Sequence, residues 1–164
     1  MQKVIIKAVI QDRLPQDVFK TVSAFERYPE LVDTVKDVRV HDGATGTETV
    51  SDWQVYFRNG ILSWTERDVF DHEALTIVFD QEEGDFDVFR GTWAMSACDE
   101  GTSLSFDAEF DFGVPSLASI IDPVAVRVLT EAMETILLGL FDGRASFRHA
   151  SSLDRSGTLA VSGS

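Results

Sequence analysis

Ser63-Trp64-Thr65-Glu66-Arg67-Asp68 places a guanidinium, two carboxyls and two hydroxyls on one short run bounded by apolar residues. Which face Arg67 takes depends on the preceding turn, Arg58-Asn59-Gly60. A three-residue loop with Gly60 in the left-handed conformation pairs Phe57 with Ile61. Trp53, Val55, Phe57, Ile61, Ser63, Thr65 and Arg67 then share one inward face. A two-residue Asn-Gly turn instead pairs Asp52 with Arg67 and puts the Trp53, Val55 and Phe57 face on the other side. The first arrangement is preferred because it buries the apolar set. On periodicity alone Arg67 reads as a surface ion-pair partner of Glu66 or Asp68. Turned inward, a guanidinium is costly unless paired, and it would bind a carboxylate, an enolate or a carbonyl oxygen.

Aromatic residues are the second signal: the chain has 12 Phe and 3 Trp, the latter at 53, 64 and 93. They either pack a core or line an apolar pocket for a planar ligand, which aromatic faces suit at low entropic cost. Phe89, Gly91, Trp93 and Met95 alternate along one face. Gly91 inside such a run marks either a close approach of backbone or ligand, or a bend that lets a sheet curl.

Other chemistry is not spelled out. His41 and His72 fall at turns and His149 near the tail, so each reads as a solvated surface residue. There is no Gly-rich phosphate loop, nucleotide fingerprint, metal-binding His motif or nucleophile elbow. The acidic run Glu82-Glu83-Gly84-Asp85-Phe86-Asp87 lacks calcium-loop spacing and reads as a solvated loop. The single Cys98 excludes an internal disulfide and a multi-cysteine metal site. No metal and no cofactor are expected.

Over 164 residues, 28 acids against 14 bases give a net charge of −14. Such a chain is repelled by nucleic acid and by anionic membranes unless it hides a basic patch. No Lys/Arg run exceeds two residues. No apolar stretch approaches a membrane span. The start, Met1 to Lys7, is too short and interrupted for a signal peptide, so a cytoplasmic protein is expected.

The elements that must position these residues follow from periodicity. Val4 to Gln11 reads as a strand. Leu14-Pro15-Gln16-Asp17 opens a helix carrying Val18, Val22 and Phe25, broken at Tyr28-Pro29. Six strands follow: Val35 to His41, Thr47 to Phe57, Ile61 to Phe70, Leu75 to Gln81, Phe86 to Ala97 and Thr102 to Phe112. Short Gly-containing connections predict an antiparallel meander. In the last strand Leu104, Phe106, Ala108, Phe110 and Phe112 lie on one face, with Ser and acids on the other. Asp122-Pro123 caps a long amphipathic helix whose stripe includes Val126, Leu129, Met133, Ile136, Leu137, Leu140 and Phe141. Gly143 is its stop signal, although the helix can run on to about His149. An α+β fold is expected: a curved seven-stranded antiparallel sheet around a C-terminal helix, with a cavity between them. Residues 1–149 form the ligand-binding domain and 150–164 a disordered tail.

This order resembles the START/Bet v 1-like (SRPBCC) superfamily with its helix-grip fold. The Tyr28-Pro29-Glu30-Leu31 break, the Trp64-Thr65-Glu66-Arg67 strand, Phe89-x-Gly91-x-Trp93 and the Pro-capped helix resemble its polyketide cyclase/dehydrase and Coq10-like group. The bacterial aromatase/cyclases keep a Ser/Thr-Glu-Arg step that Thr65-Glu66-Arg67 matches. The resemblance implies that Arg67 points into the cavity, holds a poly-β-ketone and polarises a carbonyl as a ring closes. It also implies that Phe89, Trp93 and Phe106 line the cavity and that Tyr28 lies near its mouth. Two departures are Val35, where those enzymes have a second Tyr, and Ala108, where they have a polar amide.

Two functions are therefore expected. The first is a cyclase, aromatase or dehydratase of secondary-metabolite (antibiotic) biosynthesis. It would template a flexible chain, with Arg67 stabilising an enolate or alkoxide and Thr65 and Ser63 relaying protons. Asp52, Tyr56 or Asp80 would serve as base only if inward. The second is a non-catalytic carrier of a hydrophobic quinone, lipid or antibiotic. Either way the expected ligand is small, hydrophobic or aromatic. Tyr28, Trp53, Phe57, Ile61, Phe79, Phe89, Trp93, Phe106, Ala108, Leu129, Met133 and Ile136 would contact it. Exposed apolar residues on a β face could support a homodimer. Docking to an acidic carrier protein is expected to be weak or absent, because the only basic patch is Arg144, Arg148, His149 and Arg155.

Overall fold

Alternation in the last long strand sets the architecture. Leu104, Phe106, Ala108 and Phe110 are all buried, and Ser103 and Asp107 on the opposite face are exposed. A computed structural model describes residues 1–43, 45–57, 60–112 and 122–148. Its strands are β1 (Gln2–Gln11), β2 (Val35–Asp42), β3 (Glu48–Phe57), β4 (Gly60–Asp71), β5 (Thr76–Gly84), β6 (Phe86–Cys98), β7 (Gly101–Phe112) and β8 (Ala145–Arg148). The helices are α1 (Pro15–Ser23), α2 (Tyr28–Leu31) and α3 (Asp122–Leu140), with a 3-10 turn at Phe25–Arg27.

The strands form one antiparallel sheet in the order β2-β3-β4-β5-β6-β7-β1-β8. The meander from β2 to β7 is the expected one, and β1 closes against β7. The sheet has eight strands rather than seven. Gly143 adopts the left-handed conformation (φ +81°) and its N–H bonds the Leu138 carbonyl at 2.9 Å. That turn ends α3 well before residue 149, and residues 145–148 pair with β1 instead. The first helical break also falls earlier than expected, at Ala24. Pro29 occupies the first turn of α2, where its missing N–H is harmless. The expected tail, 150–164, lies outside the described residues.

Gly91 marks a tight approach of two strands. A Cβ on Gly91 would lie 2.4 Å from the Asp107 carbonyl oxygen and 2.9 Å from the Ala108 Cβ. Gly91 therefore answers to a close backbone approach between β6 and β7, which pair it with Ala108. The concave face collects the core, and α3 packs over it, touching β1, α2 and β8.

Candidate functional site

The β3–β4 register decides what the concave face displays. Phe57 pairs with Gly60 and Trp53 with Trp64. This register is one residue off the preferred Phe57–Ile61 pairing and two off the Asp52–Arg67 pairing. A one-residue slip exchanges the faces of a strand. The inward set of β4 is therefore Leu62, Trp64, Glu66 and Asp68, and the outward set is Ile61, Ser63, Thr65, Arg67 and Val69.

Several expectations are corrected by this register. Arg67 does not enter the cavity. Its side chain is 39% exposed and forms ion pairs with Glu48 (3.3 Å) and Glu82 on the outer face. Nor does Arg67 pair with Glu66 or Asp68, which leave on the opposite face. Thr65 donates to Asp52 Oδ1 at 2.8 Å on that outer face, and Ser63 lies on it as well. Ile61, expected to touch ligand, is 41% exposed. The three conditional bases also point away: Tyr56 is 48% exposed, Asp80 is exposed, and Asp52 bonds His41 Nε2 at 2.8 Å. The His41 hydrogen bond, helped by Thr65, holds the Asp52 carboxyl below its ordinary value. Ala108 is buried against Gly91 and does not line the cavity.

The cavity lies between the concave sheet and α3 and has a volume of about 70 Å³. Tyr28, Trp53, Phe57, Phe79, Phe89, Trp93, Phe106, Leu129, Met133 and Ile136 line it, as do Val4, Phe25, Val55, Leu62, Trp64, Phe86, Ala132 and Glu66. Rings account for most of its wall. Trp53 and Trp64 stack at 5.8 Å with planes 2° apart, and Tyr28 meets Trp53 edge-on at 5.3 Å. Phe89 stands at 90° to Trp64, and Phe79 stacks on Phe106 at 5.7 Å. The Tyr28 hydroxyl is not free for a ligand, since it donates to the Val22 carbonyl at 2.6 Å.

Glu66 is the acidic residue in this apolar wall, and sequence reasoning missed it. It is 5% exposed and Oε1 accepts the Trp64 Nε1–H at 2.7 Å. Its neighbour Asp68 is fully buried, two residues along on the same inward face of β4. Asp68 Oδ2 accepts the Ser51 hydroxyl at 2.6 Å, and Ser51 in turn accepts the Trp53 Nε1–H at 2.8 Å. Asp68 Oδ1 has no hydrogen-bond partner among the described groups. Burial, above all, pushes the Glu66 carboxyl well above its ordinary value, and the adjacent Asp68 adds to the shift. Burial also raises Asp68, opposed by Glu66 and by the hydrogen bonds from Ser51 and Thr49. Two adjacent buried charges are costly, so burial biases both carboxyls toward their protonated forms. Tyr28 is raised by burial and then by these two acids. The signal in the sequence was the spacing Trp64-x-Glu66-x-Asp68 on one face, masked by the polar residues between.

Among the described residues no cluster of His, Cys, Asp and Glu could hold a metal ion. No described helix is long and apolar enough to cross a membrane.

An antiparallel sheet gripping one long helix over an apolar cavity is the helix-grip architecture of the START/Bet v 1-like superfamily. Residues 12–136 match the model of the polyketide cyclase / dehydrase and lipid transport family, and the chain belongs to that family. No curated protein matches the chain in sequence. Three solved structures share the fold. The protein TTHA0849 from Thermus thermophilus is 23% identical, with a TM-score of 0.76 over 86% of this chain and 95% of that one. The Zhui aromatase/cyclase from Streptomyces sp. R1128 is 13% identical, with a TM-score of 0.72 over 97% and 98%. Major latex-like protein 151 from Panax ginseng is 13% identical, with a TM-score of 0.67 over 87% and 96%.

Proposed function

We propose that this protein binds a hydrophobic polyketide-type ligand in its internal cavity and promotes dehydration or ring closure there. The observation that carries the reading is an aromatic cavity with a buried carboxyl, Glu66, in its wall, in a member of the polyketide cyclase / dehydrase family. Ring faces hold a flexible, planar-forming chain in few conformations, which brings reacting atoms together. Arg67 has no part in this reading. Chemistry comes from proton transfer rather than from a cation placed at a developing oxyanion.

At about 70 Å³ the cavity has room for roughly two waters, each taking about 30 Å³ of liquid. Ligand sites usually enclose about 300 Å³ or more. The ligand therefore makes its own room by turning rings of the wall, and this gives a direct assay. All 3 tryptophans, Trp53, Trp64 and Trp93, line the cavity. Titration with 1-naphthol or an anthraquinone should change the intrinsic fluorescence saturably. The bicyclic β-hydroxy ketone 3-hydroxy-1-tetralone, which loses water to give 1-naphthol, should be dehydrated. Absence of any saturable fluorescence change would defeat the reading.

A second reading, a carrier without catalysis, is favoured by the outward Arg67 and by apolar Val35 and Ala108, both buried. It is distinguished by binding without turnover. The cytoplasmic setting belongs to the same proposal, as does a free rather than carrier-bound ligand. Arg144 and Arg148, half of the basic patch, lie near Asp12 (3.9 Å) and Glu100 (3.7 Å). They therefore have little charge left for an acidic partner. His149 and Arg155 lie outside the described residues.

A further inference from the structure

Asp68 has no room for solvent and does not line the cavity, yet it carries a carboxyl. A core that needed only packing would be at least as stable with two apolar side chains in place of a buried ionisable pair. Glu66 lines the cavity and shares the inward face of β4 with Asp68, whose Oδ1 is buried without a hydrogen-bond partner. We propose that Glu66 and Asp68 work as a one-proton dyad, Glu66 being the catalytic base and acid that meets a β-hydroxy ketone and Asp68 the store for its proton. The inference rests on the catalytic reading above and deepens it.

The step balances without any further reactant. Glu66 passes its proton to Asp68 and becomes a carboxylate. It removes the proton from the carbon between carbonyl and carbinol, leaving an enolate. The enolate re-forms its carbonyl and a C=C bond as the C–O bond to the hydroxyl breaks. The departing hydroxyl takes the proton from Glu66 and leaves as water. Asp68 then returns the stored proton. The ligand has lost one water and the dyad is unchanged. Dyad and ligand together carry one negative charge throughout. The charge moves but does not increase, so no cation is required at this site.

The surroundings fit a proton relay. Ser51 Oγ–H and Thr49 Oγ1–H both point at Asp68 Oδ2, at 2.6 and 3.4 Å, while Oδ1 is left for the shared proton. Trp64 Nε1–H fixes Glu66 Oε1. Among the described residues, the titratable groups that interact with Glu66 are Asp68 on its own strand and Tyr28 of α2. Strand β3 presents Ser51 and Trp53, β5 presents Phe79 and Gln81, and α3 presents Leu129, Ala132, Met133 and Ile136. Burial of both acids, more than any outside charge, keeps the proton between them.

The test is a comparison of wild type, Glu66→Gln and Asp68→Asn in the full chain, with 3-hydroxy-1-tetralone as substrate and 1-naphthol as the fluorescence probe. Gln at 66 keeps the acceptor for Trp64 and donates to Asp68, so probe affinity should stay within about threefold. Turnover should fall by about a hundredfold or more, the usual size of an acid–base contribution. With Asn at 68 the store is gone and Glu66 must be ionised by pH alone. The rising limb of kcat/KM against pH should then move to higher pH, which a merely structural Asp68 would not produce. Infrared difference spectra at neutral pH should show a protonated-carboxyl band in wild type that is missing from Glu66→Gln. Turnover retained in Glu66→Gln, or an unmoved limb in Asp68→Asn, overturns the dyad and leaves the catalytic reading standing. No turnover by wild type overturns both. If Glu66→Gln does not fold, the limb of Asp68→Asn decides alone.

Discussion

Holding a proton on Glu66 in the folded state makes stability depend on pH, with a sign opposite to that of the usual ion-paired carboxylate. In the unfolded chain Glu66 ionises near its ordinary value of 4.5, whereas in the fold burial raises it well above that. The stabilisation is fully present below about pH 4.5 and is lost as pH rises toward the raised folded value, beyond which it changes no further. One proton corresponds to about 1.4 kcal/mol per pH unit within that window. Glu66→Gln has no proton to lose and keeps the hydrogen bond to Trp64. The pH response of the rest of the chain, including self-repulsion from its −14 charge, is nearly common to both proteins. Between pH 5 and pH 7 wild type should therefore lose up to about 2.7 kcal/mol more than the variant. At about 2–4 °C per kcal/mol for a domain of this size, the midpoints should diverge by at most about 5–10 °C. Urea titrations at constant ionic strength at pH 5, 6 and 7 measure the difference directly. Parallel curves for the two proteins would mean that Glu66 ionises in the fold as it does in water, and the shared-proton argument would fail.

Three other perturbations test separate parts of the structure. Arg67→Leu, confined to the outer face with Glu48 and Glu82, should leave fluorescence titration and turnover unchanged; a collapse of turnover would return Arg67 to the site. Ser51→Ala strips Trp53 Nε1 of its acceptor and Asp68 of a donor, and should cost about 1–3 kcal/mol in urea unfolding. A negligible loss would mean that solvent replaces those bonds. Gly91→Ala would put a Cβ 2.4 Å from the Asp107 carbonyl oxygen and should cost about 1–3 kcal/mol, lowering the thermal midpoint. An unchanged midpoint would show that β6 and β7 separate freely there.

Much of this molecule was legible in one dimension because its patterns repeat. Five alternating apolar residues from Leu104 to Phe112 predict a half-buried strand whichever neighbours it has. Asp122-Pro123 with its apolar stripe, and Gly-punctuated strands in series, together require a sheet wrapped around a helix. Alternation grouped Phe89 with Trp93 and Phe106 with Phe110, the family resemblance implied that Phe89, Trp93 and Phe106 line a cavity, and all three stand in its wall. The eighth strand was not legible, because Ala145–Arg148 is too short to show a period and exists by pairing with β1.

The chemistry of β4 was settled in three dimensions. Its two faces, Ile61-Ser63-Thr65-Arg67-Val69 and Leu62-Trp64-Glu66-Asp68-Phe70, are nearly matched in apolar content. Hydrophobicity gives no strong vote, and two carboxyls weigh against the second face. The choice was made by pairing Phe57 with Gly60 and Trp53 with Trp64, whose stacked rings close the cavity. Ser51 and the indole N–H groups then supply the donors that make a buried acid pair tolerable. Sequence alone determined that there is a sheet and a helix that meet across aromatic faces. The tertiary structure decided that carboxyls rather than a guanidinium face that space, since a one-residue register and the partners waiting across it outweigh the propensity of any single side chain.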